Sequence, residues 1–149
     1  MKNKVQGTIK LSGKEINNEI ACTTGSQLVK TLQIIKEDLI ECVWYCGDIS
    51  TNHDLRTGSS KQRVESFKIE DTEQLIQLAI QVDQFLSGVF VAIPKNIYYL
   101  SLDHDFDTES DPTNDLGEAI LEIRAFDTSF FEFYSSKPEI IGRLTEYFK

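Results

Sequence analysis

The chain has 149 residues, 40% of them hydrophobic and 26% charged, with 24 Asp and Glu against 15 Lys and Arg for a formal net charge of −9. This length and mix suit one globular domain, residues 1–149, with its own core, and exclude a chain that is disordered throughout. The acidic balance argues against direct binding of nucleic acid or of an anionic membrane, since each needs a basic footprint.

The charge is unevenly placed. Residues 1–70 hold ten Lys and Arg and nine Asp and Glu, whereas residues 71–149 hold five and fifteen. No basic residue stands between Lys95 and Arg124. No secretory signal is recognisable, because no apolar run follows Lys2, Lys4 and Lys10. The longest apolar stretch, residues 85–94, falls short of the roughly 20 residues that cross a bilayer. A soluble, cytoplasmic protein is the expectation. Three cysteines without a signal argue against a disulfide framework, and Cys22, Cys42 and Cys46 read as buried structural thiols.

Residues 5–11 alternate as a strand and Ser12-Gly13 turns the chain. Ile16, Asn18, Ile20 and Cys22 alternate too, which suggests a second short strand. Residues 26–39 place Leu28, Leu32, Ile35 and Leu39 on one helical face, with Thr24 or Ser26 as the cap. Residues 41–49 read as a strand that Gly47-Asp48 ends or bulges. Residues 63–69 read as a half-buried strand with an irregularity at Ser66.

A second helix opens on Asp71 with Gln74 three residues on, and carries the stripe Leu75, Leu78, Ala79, Val82 and Leu86 before Ser87-Gly88. Residues 89–93 are wholly apolar, as in a strand buried on both faces. Residues 98–102 read as a further short strand. Residues 119–126 and 130–134 form a hairpin about a turn at 127–129. A last helix over 138–148 is expected to be capped by Ser136 with Glu139, and to pack through Ile140 or Ile141, Leu144 and Phe148. The pattern predicts an α+β fold: a mixed, mostly antiparallel sheet packed against about three helices as a single layer pair.

Chemistry is sparse. The run Asp103-His104-Asp105-Phe106-Asp107-Thr108-Glu109-Ser110-Asp111 matches the start of a calcium loop. The match fails where Thr108 replaces the bending Gly and Asn114 the bidentate Glu. His53-Asp54 and His104-Asp105 sit in polar loops and read as exposed histidines. No nucleophile motif, phosphate-binding loop or zinc spacing is present. No catalytic or metal-ligating residue is assigned, and no cofactor is expected.

Residues 119–136, AILEIRAFDTSFFEFYSS, with VAIP at 91–94, resemble a family of small bacterial proteins of unknown function. The resemblance covers about the last third of the chain, and implies a bacterial cytoplasmic protein without carrying an activity. In size, charge and class the chain is also similar to bacterial immunity proteins, small acidic α+β domains that neutralise a toxin.

The leading expectation is therefore a non-catalytic protein-binding domain of the immunity type, presenting an acidic surface to a basic partner protein. Its expected contacts are Asp103, Asp105, Asp107, Glu109 and Asp111, with Tyr98 and Tyr134 as aromatic anchors. The alternatives are a small enzyme or ligand-binding domain with an unrecognised site, and a structural or oligomerising module.

Overall fold

A computed structural model describes residues 4–51, 62–64, 67–97, 106–108, 115–126 and 129–149, with the backbone alone for 62–64. The strands are β1 (Gly7–Ser12), β2 (Cys42–Thr51), β3 (Gln62–Val64), β4 (Phe67–Ile69), β5 (Phe85–Pro94), β6 (Leu121–Phe126) and β7 (Phe130–Ser135). The α-helices are α1 (Gly13–Asn17), α2 (Gly25–Ile35), α3 (Thr72–Ile80) and α4 (Pro138–Tyr147), and a 3-10 turn (Lys36–Leu39) extends α2. The fold is α+β with one sheet, in the order β1-β7-β6-β5-β2-β3, and β4 pairs β2 beside β3. Every strand pairing is antiparallel.

Helices cover one face of this sheet. Leu28, Leu32, Ile35 and Leu39 are fully buried, as their spacing requires, and join Leu75, Ile76, Ala79, Ile140, Ile141 and Leu144. The sheet meets them with Trp44, Cys46, Phe90, Ala92, Leu121, Ile123, Phe131 and Phe133. Burying each Leu, Ile or Phe among them contributes about 1.5–3 kcal/mol. The single Trp is also polar-satisfied: Trp44 Nε1 donates to Thr72 Oγ1 at 3.0 Å, and Thr72 Oγ1 donates to the Leu39 carbonyl at 3.3 Å. Helices α2 and α3 meet at Gly25, where a β-carbon would stand 2.1 Å from the Ala79 carbonyl oxygen.

Over its central strands the opposite face is covered by irregular chain. Val89, Val91, Ile93 and Tyr134 of the sheet are buried with Leu116 and Ala119, and Val5, Val43, Tyr45, Ile97 and Phe106 pack around them. Val89 to Ile93 are thus buried on both sides of the sheet, as their unbroken apolarity implies.

Three local expectations are corrected. The second short strand expected through Ile16, Asn18, Ile20 and Cys22 does not form, and residues 13–17 are helical because Ser12 and Glu15 form a reciprocal cap. Glu15 N–H donates to Ser12 Oγ at 3.4 Å, and Ser12 N–H donates to Glu15 Oε1 at 2.8 Å. Asn18, left-handed at φ 60°, closes that turn. Helix α3 stops at Ile80, and Leu86 belongs to β5. Phe85 is captured by Thr23, whose carbonyl takes the Phe85 N–H at 2.7 Å and whose hydroxyl donates to the Phe85 carbonyl at 2.6 Å. The N-cap of α4 is Lys137, not Ser136. Pro138 fixes the first helical turn, and the Lys137 N–H donates to Ser135 Oγ at 3.0 Å. The expected strand at 98–102 lies outside the described residues.

Candidate functional site

The middle of the acidic run is fastened to the sheet at a defect in β2. The β2–β5 register shifts between Gly47 and Ser50, and Asp48 there takes a left-handed φ of 51°. This is a β-bulge, which re-aims side chains out of the ladder. The Asp48 carboxylate accepts the Thr108 N–H at 2.7 Å, and the Gly88 N–H donates to Thr108 Oγ1 at 3.3 Å. Ser87 Oγ donates to the Asp48 carbonyl at 2.5 Å and holds the bulge from β5. Phe106 lies over Gly47, the one residue type that leaves room for its ring. Phe106 is therefore half-buried and Thr108 buried, while Asp107 between them is exposed.

A buried charged cluster lies on the same face of the sheet. Glu122 and Arg124 are 0% and 2% exposed, and Arg124 Nε donates to Glu122 Oε2 at 2.6 Å. They are neighbours along one side of β6, not partners across strands. The Arg124 guanidinium lies over the Tyr134 ring at 5.3 Å. The Tyr134 hydroxyl donates to Glu132. Burial first, and then this carboxylate, raise the Tyr134 pKa. At the β1 edge, the Lys10 ammonium lies 4.3 Å from the centre of the Phe130 ring.

The thiols carry no nucleophilic chemistry in this setting. Cys22, Cys42 and Cys46 are all free and buried. Burial pushes the Cys22 and Cys42 pKa values up to about 11 and raises that of Cys46 further. A reactive cysteine needs the opposite shift.

Of the residues expected to meet a partner, Asp107 is exposed beside the bulge. Tyr134 is buried at 3% exposure and packs within the outer-face cluster, so it does not stand out as a surface anchor. Tyr98, Asp103, Asp105, Glu109 and Asp111 lie outside the described residues, as do His53 and His104. Among the described residues no group of three or more His, Cys, Asp and Glu is placed to hold a metal ion. Among them, too, no helix is long and apolar enough to cross a membrane.

Sequence reasoning did not find the docking of 106–108 at the bulge. The only local signals were Gly47-Asp48 within a strand and the lone aromatic, Phe106, within an acidic run. The burial of Glu122 and Arg124 gave no local signal, because charges alternating with apolar residues ordinarily mark a solvent face.

No family model matches the chain, and comparisons with curated proteins and with solved structures give no match either.

Proposed function

We propose that this chain is a non-catalytic protein-binding domain that presents an acidic surface to a basic protein, in the manner of an immunity-type inhibitor. The supporting observation is the pair of contacts that Phe106 and Thr108 make with Gly47, Asp48 and Gly88, leaving Asp107 exposed between them. Those contacts fix the centre of a run in which the sequence sets Asp103, Asp105, Glu109 and Asp111 on either side of Asp107. No Lys or Arg stands anywhere in residues 96–123. Attaching such a run to a rigid sheet reduces the ordering entropy lost on binding. Its field raises the encounter rate with a basic partner by about 10–1,000-fold at low salt.

The test is capture from a cell extract on the immobilised chain at low ionic strength, followed by elution with rising salt. The expected result is a basic protein whose association slows steeply with salt, and slows at least about tenfold when the five carboxylates are replaced by amides. Binding that is indifferent to salt and to those replacements would remove this reading. If the captured protein is a toxin whose activity the chain blocks, the inhibitor form of the proposal is the right one.

A further inference from the structure

A groove of about 600 Å³ runs along the helical face, far in character from the acidic run. Its walls are two matched stripes. Lys30, Gln33 and Ile34 lie at i, i+3 and i+4 on α2, and Arg143, Glu146 and Tyr147 lie at the same spacing on α4. In a chain of net charge −9, this brings two cations, an amide and an exposed ring together in a space of the size that small ligands occupy.

The details suit one kind of ligand. Arg143 is held side-on by Asp38, with Nε to Oδ2 at 2.8 Å and Nη2 to Oδ1 at 3.0 Å. A guanidinium gripped on that edge still offers its Nη1–Nη2 end to a second carboxylate. Lys30 has no carboxylate within ion-pair distance among the described residues, and its ammonium lies 5.8 Å and 5.9 Å from the Tyr147 and Phe148 rings. Glu146, the one acid in the wall, faces the Lys149 ammonium at 3.3 Å. Tyr147 is 58% exposed, and its edge-on contact with Phe148, 5.0 Å between ring centres, sets its orientation. Large aromatic rings bury on average far more than this, so part of the ring beside the Lys30 ammonium is accessible to a ligand.

We infer that the groove between α2 and α4 binds a small aromatic carboxylate, which stacks on Tyr147 and Ile34 while Lys30 and Arg143 receive its charge.

The experiment is a titration of the full chain with 2-naphthoate, followed by amide chemical shifts. Saturable shifts confined to α2 and α4 are expected, with a Kd of about 1 mM or below. Lys30→Gln and Tyr147→Ala should each weaken binding at least about tenfold while the melting temperature stays near that of the parent. The uncharged analogue 2-naphthalenemethanol should bind about tenfold more weakly. Absent or non-saturating shifts, shifts centred elsewhere, equal affinity for the alcohol, or an unchanged Kd in Lys30→Gln would each overturn the proposal. Replacing the carboxylates of the acidic run should leave the naphthoate Kd unaltered, so the two binding readings stand or fall separately.

Discussion

Phe106 packs directly on Gly47: a β-carbon at residue 47 would stand 2.6 Å from both Cγ and Cδ1 of the ring. One residue of the acidic run thus depends on the absence of a side chain in a strand some sixty residues earlier. Gly47→Ala should force the ring away and destabilise the fold by about 1–3 kcal/mol in a denaturant titration. In a Phe106→Ala background the same substitution should cost much less. Additive costs in that double-mutant cycle would mean the two residues do not meet.

The Trp44–Thr72 bond offers an internal probe, because Trp44 is the only Trp. Thr72→Val keeps the shape but leaves a buried indole N–H without its acceptor. The expected loss is about 1–3 kcal/mol, read from the fluorescence-detected unfolding midpoint. A midpoint equal to the parent's would show that the hydroxyl is dispensable.

Glu122 and Arg124 should behave as a unit. Glu122→Gln removes the buried charge that Arg124 Nε faces and should cost about 3–5 kcal/mol. Replacing both together, Glu122→Leu with Arg124→Met, should recover most of that loss, since a well-packed apolar pair avoids the desolvation of two ions. Urea titrations of the three proteins decide it, and equal losses in the single and double variants would count against coupling.

The thiols predict alkaline weakening. Cys22 and Cys42 hold their protons to about pH 11 in the folded chain and Cys46 holds its proton higher still. A thiol in the unfolded chain loses its proton near about pH 8.5. Between those values the unfolded chain binds fewer protons than the folded one, so stability falls as pH rises. Its slope across that window should flatten when the three are replaced by Ala. The native protein at neutral pH should also react slowly with a thiol reagent and fully once denatured. Rapid modification of the native form would refute the burial.

Local pattern in the sequence determined much of this fold. The stripe Leu28, Leu32, Ile35 and Leu39, the apolar run Val89 to Ile93 and the β6–β7 hairpin all rest on periodicity and turn chemistry within a few residues, and all form as their spacing implies. Partners distant in sequence decided the rest. Leu86 carries a helical spacing, yet Thr23 draws the neighbouring Phe85 into a strand through one backbone and one hydroxyl hydrogen bond. Glu122 and Arg124 alternate as solvent-facing residues do, yet they lie beneath a face that Phe106, Leu116 and Ala119 help to cover. The bulge at Asp48 is suggested by its own dipeptide, but its purpose as the seat of Thr108 is not. Periodicity records which side of an element a residue occupies. What covers that side depends on chain closure between segments far apart, and only the tertiary structure supplies it.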